Sequence, residues 1–442
     1  MSTINGVLEH AAPLVRPSPD QLARITELAG SLLRKVDHEA SRYPETRGAL
    51  LGGSFAKGTW IPDNVDLDIF VRFDPAVPKD RFEEVGLAIG AAATRGHPRG
   101  KKYAEHPYTE ALVKGVRVNI VPCYAVEPRM WKSAADRSPF HVDLVKGLPE
   151  ETKTQIRLLK RFMKAVGVYG AEIETQGFSG YVAEVMTMKH GSLEGVLRWF
   201  ADLRPSSEER MFHLPDPVDE GRDLAIAVSL EKLGRMVMAS RDFLRSPRRA
   251  YFVGVTGKMR PAMRQSVVAL VFSHRRLSED TLWGELRRTT KHIVRHLEVS
   301  GFRIARSMAA SNNADRSAIL FIPELKDLPE LEQRVGPTVD RRKDVEAFLE
   351  SGRLASRLVW VDEEARVRFL RARRYRSASD LLEDLSKGKA GPVGASRELE
   401  RAMRKSAVVL EGRSLERAAK SLPWLMDGLR EITTDVLGTR GT

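Results

Sequence analysis

The sequence has very little cysteine and no long apolar run. Cys123 is the single cysteine among 442 residues, which excludes an internal disulfide and a zinc cluster made of cysteines. No apolar stretch approaches the roughly 20 residues that a membrane-spanning helix needs. The first residues, Met-Ser-Thr-Ile-Asn, lack the basic and apolar pattern of a signal peptide. We therefore expect a cytoplasmic protein without a membrane partner.

Acidic residues are fewer than basic ones. The chain has 59 Asp and Glu against 72 Lys and Arg, which gives a formal net charge of +13 and favours a polyanionic partner. The positive charge concentrates in a short arginine-rich segment and on one predicted helix. These clusters are Arg366, Arg368, Arg371, Arg373, Arg374 and Arg376, and Arg287, Arg288, Lys291 and Arg295. Either cluster is alternatively a solvated face that binds nothing.

The most informative motif is a glycine-rich turn followed by two aspartates. The turn covers residues 52–58 and contains Ser54 and Lys57, and a strand-like run then begins with Asp66 and Asp68. Alternate side chains of a strand point to the same face, so the two carboxylates are expected side by side. Such a pair beside a phosphate-binding turn suits a divalent metal that holds a nucleoside triphosphate. The alternative is a polar hairpin turn before an unremarkable strand.

The turn is not a Walker A loop. That motif requires Lys and then Ser or Thr directly after its last glycine, whereas Gly58 is followed by Thr59 and Trp60.

Hydrophobic periodicity predicts an α+β protein of four domains. Helices at 19–42 and 79–93 and strands at 48–52, 66–73, 106–113 and 116–122 predict a mixed-sheet head, residues 1–142. Helical patterns at 150–166, 179–200 and 222–245 predict a helical central domain, residues 143–257. A strand at 267–272, a helix at 281–299 and strands at 301–309 and 317–322 predict a ferredoxin-like body, residues 258–337. A mixed α/β tail, residues 338–442, combines the arginine-rich strand pair with helices near 395–410 and 413–436.

These motifs, in this order, resemble those of the archaeal-type (class I) CCA-adding enzymes, which are tRNA nucleotidyltransferases. The turn and the Asp-Leu-Asp strand match that family's signature, and further elements at 102–108, 118–124, 134–141, 168–172, 177–181 and 216–222 resemble its other motifs. The resemblance is strong over about 45–250 and fainter to about 340. Beyond residue 340, only the order of the elements and the positive charge resemble the family.

The resemblance implies an activity and a fold. The activity is template-independent addition of C, C and A to the 3′ end of tRNA from CTP and ATP, for tRNA maturation and repair. The 3′-hydroxyl attacks the α-phosphate and pyrophosphate leaves, with two metal ions, expected to be Mg²⁺, neutralising charge. The fold is a nucleotidyltransferase head joined to the other three domains. The implied partners are the tRNA 3′ end and acceptor stem, with a homodimer as one option.

The resemblance also assigns roles to individual residues. Asp66, Asp68 and the position of Asn119 are catalytic and bind metal. The nucleotide-binding residues are Ser54 and Lys57 for the outgoing phosphates, Lys160 and Tyr169 for the triphosphate, His141 at the hinge and Arg222 at the base edge. The family more often has Arg at position 57. Lys keeps the positive charge but lacks the forked guanidinium, which can bind two phosphate oxygens at once. Alternatively, Lys160 is a surface lysine and His141 a structural histidine. The tRNA-binding residues are Arg366, Arg368, Arg371, Arg373 and Arg374.

Asn119 departs from the family, which has a third metal-binding carboxylate at this position. Asn keeps an oxygen ligand but loses the charge and cannot accept a proton. A hairpin with Lys114-Gly115 as its two-residue turn would pair Glu110 with Asn119 and bring a substitute carboxylate to the site. A bulge at Gly115 would remove this option, and Glu110 is then a solvated residue.

Two other functions remain open from the sequence. One is a non-catalytic or weakened tRNA-binding relative, because Asn119 replaces the carboxylate. The other is a different nucleotidyltransferase, such as a poly(A)-adding or oligoadenylate-making enzyme.

Overall fold

A computed structural model describes residues 3–63, 65–103, 105–205, 212–253, 261–352 and 356–434. The chain divides into two compact units, one within residues 1–257 and the other within 258–434. No helix in the described residues is long and apolar enough to cross a membrane. The predicted domain limit at 257 and 258 and the predicted helix end at 436 lie outside the described residues. The four-domain division stays a prediction.

The first unit begins with two helices that pack in different places. Helix α1 (Ile4–Val15) buries Val7, Ala11 and Val15 against the helical part of the unit. Helix α2 (Pro19–Ala40) buries its apolar stripe against the sheet. Ser18 accepts a hydrogen bond from the Gln21 backbone N–H, and the Gln21 side chain accepts one from Ser18, so a capping box starts α2 where the sequence predicts.

A mixed five-stranded sheet forms the head. Its elements in chain order are β1 (Thr46–Gly52), α3 (Gly53–Lys57), β2 (Asp66–Phe73), α4 (Lys79–Ala93), β3 (Arg99–Tyr103), β4 (Pro107–Val113) and β5 (Val116–Tyr124). The strand order is β1-β2-β5-β4-β3, and only the β2–β5 pair is parallel within this described sheet. Strand β3 was not predicted, because its sequence, Arg-Gly-Lys-Lys-Tyr, is polar and largely exposed.

Helices complete the first unit. They are α5 (Ser138–Lys146), α6 (Glu150–Ala165), α7 (Gly180–His190), α8 (Leu193–Asp202), α9 (Leu230–Arg245) and α10 (Ala250–Val253). The helix predicted over 179–200 is two helices, because Gly191 adopts a φ of +78° and Ser192 caps a new helix. The helix predicted from 222 begins at Leu230, where Ser229 caps it.

The second unit contains a four-stranded antiparallel sheet and a separate three-stranded one. Its elements are α11 (Pro261–Ser266), β6 (Val268–Ser273), α12 (Glu279–Val299), β7 (Ile304–Ser311), β8 (Arg316–Pro323), β9 (Leu331–Thr338), α13 (Arg342–Gly352), β10 (Ser356–Val361), β11 (Arg366–Ala372), α14 (Ala378–Ser386), α15 (Arg397–Ser406), β12 (Val408–Glu411), α16 (Gly412–Ser421) and α17 (Pro423–Ile432). The helix predicted near 395–410 thus ends at Ser406, and β12 follows.

The larger sheet has the order β12-β6-β8-β7, which is the order of a ferredoxin-like fold. The β-α-β-β pattern of the sequence is therefore confirmed, and the fourth strand comes from the segment assigned to the tail. Strands β9, β10 and β11 form the second sheet, inserted between β8 and α14. The protein is an α+β multidomain protein, as predicted.

Candidate active site

The two aspartates and Asn119 share one face of the head sheet. Alternation along β2 buries Leu67 and Ile69 on one side and turns Asp66 and Asp68 to the other. The parallel register of β2 and β5 places Asp68 directly beside Asn119. The Asn119 amide Nδ2 donates a hydrogen bond of 2.9 Å to Asp68 Oδ1. The structure thus brings together the three residues that the sequence predicts as one metal site.

Gly53 allows the glycine-rich turn to lie directly against Asp68. Gly53 has a φ of +63°, and a Cβ at this position would lie 1.8 Å from Asp68 Oδ2. Any side chain at residue 53 would therefore displace the carboxylate. Helix α3 starts here and ends at Lys57, and the next residue, Gly58, adopts the left-handed conformation with φ +71°.

The electrostatics of this face suit a divalent cation. Burial raises the pKa of Asp66, and it raises the pKa of Asp68 despite the opposing hydrogen bond from Asn119. Asn119 Oδ1 is buried and has no hydrogen-bond partner. A cation held by these three oxygen-bearing side chains would stabilise the charged carboxylates and satisfy the orphaned oxygen. The described residues contain no cluster of three or more His, Cys, Asp or Glu side chains suited to a metal, so the donor set here is two carboxylates and one amide.

The predicted hairpin between β4 and β5 is confirmed. Val113 pairs with Val116, Glu110 pairs with Asn119, and the turn residues Lys114 and Gly115 have φ values of 50° and 79°. No bulge at Gly115 shifts the register.

The carboxylate of Glu110 faces cations. It lies 3.9 Å from Lys102 Nζ and 3.9 Å from Arg117 Nε, while Arg117 Nε is also 3.8 Å from Asp66 Oδ1. Arg117 thus lies between the two acidic side chains. That Glu110 compensates for Asn119 stays a prediction.

A cavity of about 260 Å³ opens beside Asp66 within the first unit. It brings together side chains from the turn, the sheet and helix α6. Its lining includes Ser54, Thr59, Asp66, Arg117, Lys160, Lys164 and Tyr169. Burial raises the pKa of the Tyr169 hydroxyl and lowers that of Lys164, whose Nζ lies 5.2 Å from the Tyr169 ring centroid. Three of the predicted nucleotide-binding residues, Ser54, Lys160 and Tyr169, therefore share a cavity with a predicted metal ligand.

Glu184 on α7 joins the two predicted lysines. Its Oε2 accepts a hydrogen bond of 2.8 Å from Lys57 Nζ, and its Oε1 accepts one of 2.7 Å from Lys160 Nζ. Burial alone would raise the pKa of Glu184, but Lys160 and Lys57 outweigh it and hold the value at about 2. Lys160 is 1% exposed, so it is not a surface lysine.

Asp216 joins the other two predicted residues. Its Oδ2 lies 3.0 Å from His141 Nε2 and accepts a hydrogen bond of 3.2 Å from Arg222, and its Oδ1 accepts one of 3.0 Å from the Tyr181 hydroxyl. The His141 ring stacks on Tyr181 at 3.8 Å between centroids. Burial would raise the pKa of Asp216, yet the hydrogen bonds from His141 and the backbone N–H of Val218 hold it at about 2.

Tyr181 connects the two acidic centres. Lys57 Nζ lies 4.6 Å from the centroid of the Tyr181 ring, and the hydroxyl of the same ring donates to Asp216. Lys57, Lys160, His141 and Arg222 are thus held by one continuous set of contacts, although Lys57, His141 and Arg222 are not part of the cavity lining.

Family models match most of the chain. A nucleotidyltransferase domain matches residues 33–141, the second domain of tRNA nucleotidyltransferase matches 154–253, and the C-terminal domain of CCA-adding enzymes matches 264–412. The CCA-adding enzyme of Methanothermobacter thermautotrophicus is 32% identical over 396 residues, covering 84% of this chain and 86% of that enzyme. The chain belongs to the archaeal-type CCA-adding enzymes.

Other members of the family are similarly related. The CCA-adding enzyme of Pyrobaculum neutrophilum is 35% identical and covers 79% of this chain and 86% of its own. That of Halorubrum lacusprofundi is 32% identical and covers 91% and 93%. Among solved structures, CdnC of Escherichia coli MS115-1 with ATP aligns at a TM-score of 0.44 and 18% identity, over 57% of this chain and 95% of that one.

The arginines expected to bind tRNA differ in their surroundings. Arg371 Nε donates a hydrogen bond of 2.5 Å to Glu332 Oε1, and Arg373 donates bonds of 3.2 Å to Glu332 and to the Ser300 carbonyl. The Arg368 guanidinium pairs with Asp362. Arg366 and Arg374 are exposed; Arg366 Nε lies 3.2 Å from the exposed Glu364 carboxylate, and the Arg374 guanidinium lies 5.2 Å from the Tyr375 ring centroid. The two exposed arginines are thus the better placed for a phosphate backbone in this CCA-adding enzyme.

Sequence reasoning assigned no role to Thr59, Tyr181, Glu184 or Asp216. Glu184 left one detectable signal, because it is a lone carboxylate inside the apolar helical stretch Val182-Ala183-Glu184-Val185-Met186. A charge at such a position is costly unless it is paired. Its partners come from residues 57 and 160, and no spacing rule connects those positions.

Proposed function

We propose that this protein adds C, C and A to the 3′ end of tRNA, using CTP and ATP with Mg²⁺ and releasing pyrophosphate. The observation that carries this proposal is the face on which Asp66, Asp68 and Asn119 lie beside the turn at Gly53. The adjoining cavity with Ser54, Lys160 and Tyr169 is the proposed place of the triphosphate.

Asp66, Asp68 and Asn119 are the residues that would hold Mg²⁺, which supplies positive charge to the transferred phosphate when bound. The carboxylates of β2 and the amide oxygen of β5 would also orient the reacting groups on one face of the sheet. In the reaction the 3′-oxygen of the tRNA forms a bond to the α-phosphorus and its hydroxyl proton passes to solvent. The bond between the α-phosphorus and the pyrophosphate oxygen breaks, and pyrophosphate leaves. Catalysis then rests mainly on alignment and charge neutralisation.

The protein's own cations would bind the rest of the nucleotide. Lys160 lines the cavity and Lys57 is linked to it through Glu184, so the pair would contribute positive charge near the triphosphate, and Ser54 and Tyr169 would supply hydroxyl donors. His141 would contact the nucleotide and Arg222 the base edge, and Asp216 and Tyr181 hold these two side chains in one cluster. Arg222 has the freedom to reach a ligand, since 43% of its side chain is exposed.

The test is incubation of the purified chain with tRNA that ends before its CCA, with labelled CTP and ATP. We expect addition of C, C and then A with Mg²⁺ and none with EDTA. Asp68→Asn should lose at least 100-fold of this activity, since about 10²–10⁴-fold changes are typical when a catalytic group is removed. The variant should still bind tRNA, because phosphate contacts elsewhere dominate that affinity.

Asp80→Asn is the matched control. Asp80 is an exposed aspartate in the first turn of α4, and its loss should leave the rate unchanged. Incorporation of A alone in long tracts would favour a poly(A)-adding enzyme. Binding of tRNA without any incorporation would favour the non-catalytic relative. The cytoplasmic location and the homodimer stay predictions, and light scattering tests the second.

A further inference from the structure

Glu184 occupies an unusual position for a charged residue. Its side chain is 1% exposed, and it lies on α7 among apolar neighbours of the helical core. It reaches two lysines that come from different parts of the first unit, Lys57 from α3 and Lys160 from α6. The residue therefore joins the glycine-rich turn to the helices.

Hydrogen bonds fix the orientation of the Lys160 ammonium group. A lysine ammonium has three N–H donors. Lys160 directs them to Glu184 Oε1 at 2.7 Å, to Thr59 Oγ1 at 2.9 Å and to the Thr59 carbonyl at 3.2 Å. Thr59 in turn donates a hydrogen bond of 2.5 Å to Glu184 Oε1. Glu184, Lys160 and Thr59 thus form a closed triangle of hydrogen bonds at the end of the turn.

The Lys57 ammonium is held by the second carboxylate oxygen. Glu184 Oε2 lies 2.8 Å from Lys57 Nζ, so one carboxylate keeps two buried like charges close together. Without that carboxylate the two ammonium groups would repel each other and lack a buried counter-charge. With it, the pair retains an excess of one positive charge beside the cavity.

We propose that Glu184 is a positioning residue for the triphosphate, which acts by holding the ammonium groups of Lys57 and Lys160 in place. This inference rests on the proposed function and deepens it. It differs from simple charge balance, in which Glu184 only reduces the positive charge near the nucleotide. If the carboxylate is replaced by a neutral group, nucleotide binding should weaken if Glu184 positions the lysines and tighten if Glu184 only balances charge.

The experiment measures equilibrium binding of CTP with Mg²⁺ by calorimetry, without tRNA. Glu184→Gln keeps the size of the side chain but offers one acceptor and one donor to two ammonium groups. If Glu184 positions the lysines, CTP binding should weaken by about ten- to hundredfold, the usual effect of losing a hydrogen bond to a charged group. Unchanged or tighter binding of CTP would overturn the proposal.

Asp242→Asn is the matched control for a general loss of stability. Asp242 is also a buried carboxylate of the first unit, where Tyr251, Arg245 and Arg248 contact it. It lies outside the cavity lining. The control should lose thermal stability as Glu184→Gln does, yet bind CTP with wild-type affinity. Equal weakening in both variants would mean that Glu184 is structural only, and would overturn the proposal.

Glu184→Asp keeps the test decisive if Glu184→Gln does not fold. The shorter carboxylate preserves the buried charge but cannot reach both lysines, so CTP binding should again weaken. Wild-type affinity in this variant would contradict the proposal. Because CTP binding is measured apart from CCA addition, a wild-type chain that binds CTP but adds nothing to tRNA would refute the proposed function and leave this test intact.

Discussion

At the scale of single residues, Asn119 limits the negative charge of the proposed metal-binding face, because it is an amide beside two carboxylates. Its Nδ2 donates to Asp68, and its Oδ1 has no partner. We expect Asn119→Asp to bind Mg²⁺ more tightly and to raise the transfer rate, by up to about 10²–10⁴-fold if the new carboxylate also serves as a base. The same variant should lose thermal stability in EDTA, because a donated hydrogen bond becomes a contact between two carboxylates.

Glu110→Gln separates the two explanations of how the natural chain works. If Glu110 replaces the missing carboxylate, Glu110→Gln should abolish activity, and Asn119→Asp should then bring little gain. Rates of both single variants and the double variant at saturating Mg²⁺ decide this. A natural enzyme that is active and indifferent to both substitutions would show that a third carboxylate is dispensable here.

At the scale of elements, strand β11 and the residues directly after it carry arginines of two kinds. Arg371 and Arg373 pair with Glu332, whose side chain is 10% exposed, whereas Arg366 and Arg374 are exposed, and Arg366 pairs only with the exposed Glu364 among the described residues. Replacing Arg366 and Arg374 with Ala should weaken tRNA binding and reduce its salt slope by roughly one unit per lost phosphate contact. Binding is measured across a series of salt concentrations.

The comparison is a double variant that carries Arg371→Ala and Arg373→Ala. Removing both leaves Glu332 without these two partners, so the expected effect is a lower melting temperature. A salt slope that falls only in this second pair would place the RNA on the other side of the strand.

At the scale of the whole molecule, acid stability should depend on Glu184 and Asp216, two buried carboxylates of the first unit whose folded pKa values are strongly lowered. The folded pKa values of Glu184 and Asp216, both about 2, lie below the ordinary values of 4.5 and 3.8. A depressed folded pKa stabilises the protein above the unfolded pKa, and this stability is lost as the pH falls toward the folded pKa. Protonation of each group should thus lower the free energy of unfolding by up to about 1.4 kcal/mol per pH unit between about pH 4 and 2.

Melting curves between pH 7 and pH 2 check this expectation. The difference in stability between the wild type and Asp216→Asn should shrink as the pH falls below about 4, because the wild-type carboxylate becomes protonated. A difference that stays constant over that range would show that the charge of Asp216 does not contribute to folding.

The sequence by itself determined the local features of this protein. Alternation along residues 66–73 placed Asp66 and Asp68 on one face, the helix predicted from residue 19 begins at Pro19, and Lys114-Gly115 set the register that pairs Glu110 with Asn119. These features depend on neighbours along the chain and on side-chain periodicity, so a sequence pattern can predict them.

Only the tertiary structure decided which distant residues share a buried charge. Glu184 contacts lysines 127 and 24 residues away, and Asp216 contacts His141 across 75 residues. It also decided that Arg117 lies between Asp66 and Glu110, and that Arg373 is packed against Glu332. A sequence shows that a charged residue is present, but the partner that makes its burial favourable depends on how separate elements pack.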